Sequence, residues 1–155
     1  MLTAMKHLII AGFLAFVATT ASAAETPECV GEGPVRLFVS VTNVRSAIGE
    51  MAVTVYPDDP GRFLAPGGKL ARQRVPADAP VTRVCFALPQ PGAYAVAVYH
   101  DANANHDFDR TIVGMPTEAF GFSNNPPVQD ALPDFASART VVRTDKEISI
   151  RLRYP

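Results

Sequence analysis

The chain has 155 residues, with 14 Lys and Arg against 15 Asp and Glu, so its formal net charge is −1. This balance argues against a nucleic-acid-binding protein, which would carry an excess of basic residues. Hydrophobic residues make up 48% and charged residues 19%, and together with 14 prolines these values predict a turn-rich globular domain rather than a disordered chain.

The first 23 residues have the features of a secretory signal peptide. Lys6 precedes an apolar run over residues 8–17, and small residues lead up to Ala23. The run is about half the length that a membrane span requires. We therefore expect cleavage after Ala23 and a mature chain, residues 24–155, with no membrane span. Its location would be periplasmic or secreted.

Period-two alternation of apolar and polar side chains begins at Val35 and is the strongest pattern of the mature chain. Residues 35–42 alternate in this way, and residues 51–55 repeat the pattern. Such alternation predicts half-buried strands. Because the connection through residues 47–49 is short, we expect these two strands to form a hairpin.

The next segment, residues 57–68 (PDDPGRFLAPGG), is rich in proline and glycine. This composition predicts a long loop. We expect Phe63 and Leu64 to turn inward from the loop and cover a sheet edge. A weaker strand is predicted over residues 69–75.

Further strands are predicted in the second half of the chain. Residues 83–88 and 93–100 alternate on either side of a Pro/Gly turn at 89–92, which predicts a second hairpin. Residues 140–143 and 147–154 complete the set. No segment sustains a helical period, so about seven short strands predict an all-β protein built as an antiparallel β-sandwich.

Cys29 and Cys85 are the two cysteines of the sequence. In an exported chain such a pair predicts a single disulfide, and the spacing does not match a Cys-x-x-Cys redox motif. If Val84 and Phe86 face the core, Cys85 points outward. We therefore expect the bridge to strap the N-terminal segment across the outer face of that sheet.

Oxygen-bearing side chains are concentrated in residues 101–109, here called the Asx loop, which directly follows the most apolar strand. They occupy positions 1, 3, 5, 7 and 9 of a calcium-binding register, as Asp101, Asn103, Asn105, Asp107 and Asp109. Hard oxygen ligands favour calcium over softer metals. The register departs from the standard pattern at position 6, which is His106, and at position 12, which is Ile112. Glu118 and His100 are further candidate contacts.

A second interpretation of the Asx loop needs no metal. Asn and Asp side chains cap their own backbone and tolerate left-handed conformations, so the same residues also predict a series of Asx turns. Zinc would require His100 and His106 to converge with a third ligand. We expect instead a partly buried, hydrogen-bonded His100 at the strand end.

The segment after the Asx loop is punctuated by proline and glycine and contains Phe120, Phe122, Ser123 and Asn124. A loop of this length is often functional, so these four residues are a candidate binding surface. In the alternative interpretation Phe120 and Phe122, together with Met115, close one end of the sandwich.

Several short motifs together resemble a secreted bacterial family catalogued as domain of unknown function 2141. They are Pro91-Gly92 with residues 94–96, His100-Asp101 with Asn103 and Asn105, Gly114-Met115-Pro116-x-Glu118, and Gly121-Phe122-Ser123-Asn124. The sequence departs from the family pattern at His106, where glycine is expected. The resemblance implies a small exported β-sandwich, similar in outline to transthyretin-like and carboxypeptidase regulatory-like modules, without catalytic residues. The predicted fold is therefore a sandwich of transthyretin-like or immunoglobulin-like outline with a long Pro/Gly-rich loop.

These observations predict a non-catalytic binding or accessory protein of the cell envelope, with calcium as its one candidate cofactor and an envelope protein or glycan as its partner. An alternative is a periplasmic hydrolase that uses His100 or His106 as a base with Asp101 or Glu118. A third is a purely structural envelope protein.

Overall fold

The computed structural model describes residues 26–128 and 132–155. The predicted signal peptide, residues 1–23, lies outside the described residues. Within them the elements in chain order are β1 (Cys29–Val30), β2 (Val35–Thr42), β3 (Glu50–Pro57), β4 (Ala71–Pro76), β5 (Val81–Leu88), β6 (Gly92–Asp101), β7 (Phe120–Phe122), α1 (Phe135–Ala138), β8 (Arg139–Val142) and β9 (Lys146–Arg151). No helix in these two ranges combines the length and hydropathy needed to cross a membrane.

The strands form two sheets. One has four strands in the order β1-β5-β2-β9, and the other has the order β4-β3-β6-β7 with β8 also paired to β6. Strand β7 pairs with the C-terminal half of β6, and β8 pairs with its N-terminal half. The predicted antiparallel arrangement is correct only in part, because β1 runs parallel to β5 and β2 runs parallel to β9.

Both sheets contribute alternate side chains to one shared hydrophobic core. Strands β2 and β3 supply six side chains that are at most 1% exposed: Leu37, Val39, Val41, Met51, Val53 and Val55. Full burial of such a side chain contributes about 1.5–3 kcal/mol. The alternation that predicted the strands therefore arises from this core.

Both predicted hairpins are wrong. Strands β2 and β3 belong to different sheets, and so do β5 and β6. The inward residues of β2 and β3 meet across the core rather than side by side within one sheet. Period-two alternation reports which face of a strand is buried but not which sheet the strand joins, and a short connection can pass from one sheet to the other.

The predicted disulfide is present between Cys29 and Cys85, but its course differs from the prediction. The two cysteines are register partners in the parallel pair β1 and β5. The bridge therefore fastens a two-residue edge strand beside β5 and does not strap a segment across the outer face of the sheet. Val84 and Phe86 do point into the shared core.

A second apolar cluster covers the outer face of the five-stranded sheet. Phe63, from the loop between β3 and β4, packs against Tyr56 of β3 and Phe135 of α1, with ring centroids 5.3 and 5.9 Å apart. Leu64 packs against the same cluster. These two loop residues thus lie on a sheet face rather than at a sheet edge, and a cleft remains beside Leu64 on that face.

Candidate functional site

The Asx loop begins at Asp101, the last residue of β6, and the Asp101 carboxylate organises the backbone that follows. Asp101 is fully buried. Its Oδ1 accepts a hydrogen bond from the N–H of Asn105 (3.1 Å), and its Oδ2 accepts one from the N–H of His106 (2.8 Å). These bonds to neighbouring amides hold the chain in a tight turn.

Arg74 of β4 fastens the Asx loop to the five-stranded sheet. Its Nη1 donates to Asp101 Oδ2 (3.0 Å), and its Nη2 donates to Tyr99 Oη (2.6 Å) and to the carbonyl oxygen of His106 (2.7 Å). The Arg74 side chain is only 18% exposed. Because the Arg74 guanidinium balances the charge of Asp101, negative charge for a cation has to come from other carboxylates.

The backbone of the Asx loop turns at position 6 of the calcium register, as calcium loops do, although the residue there is not glycine. His106 adopts a φ of 70° and Ala104 a φ of 54°. The N–H of Asp107 donates to Asn105 Oδ1 (2.9 Å), an Asx turn of the kind that the metal-free interpretation predicts.

The polar side chains of the Asx loop converge on Asp109. The amide nitrogen of Asn103 donates to Asp109 Oδ2 (2.8 Å), and that of Asn105 donates to Asp109 Oδ1 and Oδ2 (3.0 and 3.1 Å). The partial positive charges of two amides therefore stabilise this carboxylate, which is the charge-balancing role that a bound cation would take over.

Glu118 reaches the Asx loop through the short reversal of the chain after Asp109. The N–H of Thr117 donates to the carbonyl of Asp109 (3.0 Å), and Arg110 forms a β-bridge with Pro116. This reversal places Glu118 Oε2 where it accepts a hydrogen bond from the Asp109 N–H (3.1 Å). The fold thus supplies a carboxylate that the twelve-residue spacing lacks.

The Glu118 carboxylate is buried and only half satisfied. Glu118 is 7% exposed, and its Oε1 is buried without a hydrogen-bond partner among the described residues. Burial raises the pKa of the Glu118 carboxyl, and the nearby Asp109 and Asp101 carboxylates raise this pKa further. A buried carboxylate oxygen without a partner destabilises the folded protein, and a hydrogen-bond donor or a cation bound to it would remove that cost.

In the part of the chain that the structure describes, no three His, Cys, Asp or Glu side chains already converge as a metal centre. The side-chain amides of Asn103 and Asn105 bind the Asp109 carboxylate, and the Glu118 carboxylate adjoins this group through the Asp109 N–H. The Asp107 side chain is exposed. A cation at this place would therefore use two carboxylates supplemented by amide and backbone oxygens, a set suited to a hard ion.

The two histidines occupy different environments. His100 is buried, as expected, with its Nε2 2.7 Å from the carbonyl oxygen of Ile48. His106 is exposed, with its Nε2 3.1 Å from Glu50 Oε2. Neither imidazole is paired with the carboxylate of Asp101 or Glu118 in the described hydrogen bonds and ion pairs, which is the pairing that the hydrolase alternative requires.

Only part of the candidate binding surface is accessible. Phe122 and Ser123 are buried, and the Ser123 hydroxyl hydrogen-bonds to Val96 N and Ala138 O. Asn124 is exposed but donates to the carbonyl of Arg139 (2.7 Å). Ser123 and Asn124 therefore fasten α1 and the start of β8 to the segment after β7, and Phe120 is the half-exposed aromatic residue of the segment. Met115 is 61% exposed and closes no core.

Sequence analysis did not identify Arg74 as part of this site. Arg72 and Arg74 alternate with the buried Gln73 on β4, so the sequence places the two arginines on one outer face. It carries no signal that this face adjoins residues 101–109, because β4 reaches them only through the pairing of β3 with both β4 and β6.

The sequence matches a protein-family model. The model of a family described as uncharacterized protein conserved in bacteria (DUF2141) matches residues 39–151. That range covers most of both sheets, the whole Asx loop and Glu118, in agreement with the resemblance inferred from the motifs. Searches of curated proteins and of solved structures return no significant match.

Proposed function

The chain belongs to the DUF2141 family of uncharacterized bacterial proteins, and from that premise we propose that it is an exported, non-catalytic binding or accessory module of the cell envelope. In this proposal residues 24–155 form one β-sandwich of transthyretin-like or immunoglobulin-like outline, and the Asx loop and Glu118 together hold a calcium ion. The partner is an envelope protein or glycan.

Export is supported by two independent features. The sequence of residues 1–23 is typical of a cleavable signal peptide. The Cys29–Cys85 disulfide is a bond that persists in oxidising compartments such as the periplasm or the extracellular space.

The calcium proposal rests on one observation: the buried Oε1 of Glu118 has no hydrogen-bond partner among the described residues, while its Oε2 accepts from the Asp109 N–H. Two neighbouring carboxylates destabilise the folded chain when both are charged, since burial weakens their hydration. A divalent cation bound between the two carboxylates would attract both of them, so the repulsion would be replaced by a net stabilising interaction. Asn103 and Asn105 are close enough to Asp109 to contribute amide oxygens after their side chains rotate, and Asp101 would serve mainly to shape the loop.

The hydrolase alternative has less support. His100 Nε2 lies at hydrogen-bond distance from a backbone carbonyl, and the carboxylate beside His106 is the part-exposed Glu50. A general base has to be within reach of the proton that it removes, and neither histidine lines either of the two larger clefts described for this structure.

The Glu118→Gln variant tests the calcium proposal. For the wild-type oxidised protein, residues 24–155, calcium at a hundred times its dissociation constant should stabilise the fold by about 2.7 kcal/mol relative to chelator. Glu118→Gln removes the charge and keeps an oxygen that can accept from the Asp109 N–H. We expect this variant to be at least as stable as the wild type in chelator and to gain little from calcium.

The measurement is a thermal melt with calcium and with chelator, and Glu32→Gln is the matched control because Glu32 is an exposed glutamate in the turn before β2. The control should keep the full calcium response. If calcium raises the melting temperature of the wild type and of Glu118→Gln equally, or raises neither, the proposed site is wrong. The absence of any shift would favour the structural envelope protein.

A further inference from the structure

A second site lies on the outer face of the five-stranded sheet, beside the loop between β3 and β4, whose Leu64 is part of its lining. It is a cleft of about 370 Å³ between Arg72 of β4 and Arg110, which follows the Asx loop. Pockets of this size, with an apolar lining and a few placed polar groups, are typical of small-molecule sites.

The floor of the cleft is aromatic. Tyr99, Phe108 and Phe120 are half-buried, and their rings form a row in space. The ring centroids of Tyr99 and Phe108 are 5.3 Å apart, and those of Phe108 and Phe120 are 5.9 Å apart. Phe120 continues the series to Phe122, at 5.9 Å. The rings meet at steep angles, and such a surface offers apolar contact to a flat or elongated molecule.

The charges on the walls of the cleft have one sign. Among the described residues of its lining, Arg72 and Arg110 carry charge and none is an aspartate or glutamate, although acidic residues slightly outnumber basic ones in the chain. Among the described residues neither arginine forms an ion pair with a carboxylate. Arg72 Nε donates to Thr54 Oγ1 (2.7 Å), and the Arg110 guanidinium lies 5.1 Å from the Phe108 ring centroid.

We propose that this cleft binds a small amphipathic anion, an acidic group carried on an apolar or aromatic body. The apolar body would lie on Tyr99, Phe108 and Phe120, and the acidic group would bind the guanidinium of Arg110 or Arg72, whose planar fork of donors matches a carboxylate. This proposal requires no calcium ion, since the one residue of the Asx loop among the described lining residues is Phe108, which offers no oxygen ligand.

A matched pair of fluorescent probes tests the proposal on the oxidised protein. The anionic probe is 1-anilinonaphthalene-8-sulfonate, and the uncharged probe is N-phenyl-1-naphthylamine, which has the same rings without the sulfonate. We expect saturable one-to-one binding of the anionic probe, roughly tenfold tighter than that of the uncharged probe, because one charge-assisted contact distinguishes the two. Arg110→Gln or Arg72→Gln should remove most of that preference.

Arg83→Gln is the control, because Arg83 is an exposed strand arginine in the other sheet. A cooperative thermal melt shows that each variant is folded. Phe108→Leu should weaken the binding of both probes. Displacement of the anionic probe by decanoate would identify an aliphatic body and displacement by 1-naphthoate an aromatic one. The proposal is wrong if the two probes bind equally, if neither carboxylate displaces the anionic probe, or if Arg83→Gln weakens it as much as the cleft variants do.

Discussion

Replacement of Asp101 by alanine is expected to lower the free energy of unfolding by about 3–5 kcal/mol, with or without calcium. Asp101 is fully buried and accepts hydrogen bonds from Arg74, Asn105 and His106. Its removal leaves the largely buried Arg74 guanidinium with only the more distant Glu50 carboxylate, 3.9 Å away, as a counter-charge, and leaves two backbone amides without their acceptor. The loss of a partner from a buried ion pair is costly for this reason.

Urea unfolding in the presence of chelator measures this effect. Asp107→Ala is the matched control, since it removes an exposed carboxylate from the same loop and should change stability by no more than about 0.5 kcal/mol. A loss below about 1 kcal/mol for Asp101→Ala would show that Arg74 finds solvent or another partner at little cost. Because Asp101 stabilises the fold directly, its alanine variant cannot report on cation binding.

Removal of the disulfide is the second change with a large expected effect. The Cys29→Ala/Cys85→Ala double variant should lose about 4 kcal/mol, because the bridge closes a long loop and so restricts the unfolded chain. The cysteines are separated by 56 residues. Without the bridge, the two-residue strand β1 would have little to hold it beside β5, so its edge pairing should be lost as well.

The loss of stability is measured by urea unfolding with and without a reducing agent. The wild type should lose the same amount on reduction, whereas the double variant should not respond to the reducing agent. A loss below about 1 kcal/mol would contradict the chain-entropy estimate. It would mean that β1 contributes little to the cooperative unit.

Much of the strand content follows from alternation alone, because a shared core buries one side of each long strand. The pattern located β2, β3, β5 and β6 to within a few residues. It could not show that β2 and β3 belong to different sheets, since inward residues of both face the same core. The short strands β1 and β7 were not predicted, because two or three residues show no period; their positions depend on the disulfide and on pairing with β6.

The candidate site could be predicted only where its residues are contiguous. Residues 101–109 are predicted as a candidate cation site because five oxygen-bearing side chains alternate there. The spacing of Glu118 does not fit the calcium register, so the sequence offers it only as a further candidate; the chain reversal at residues 110–116 places its carboxylate at the Asp109 N–H. Arg74 and the aromatic cleft depend on pairing between distant strands, which a single sequence does not reveal.

Isothermal titration calorimetry of calcium into the chelator-treated, oxidised protein measures directly whether the Asx loop and Glu118 hold a cation. We expect one calcium ion per chain, with affinity reduced by roughly tenfold or more in Asp109→Asn, as loss of one charged ligand implies. Asp78→Asn, which changes an exposed carboxylate between β4 and β5, should bind as the wild type does. Absence of calcium binding in the wild type, or equal binding by Asp109→Asn, would contradict a cation site formed by the Asx loop and Glu118.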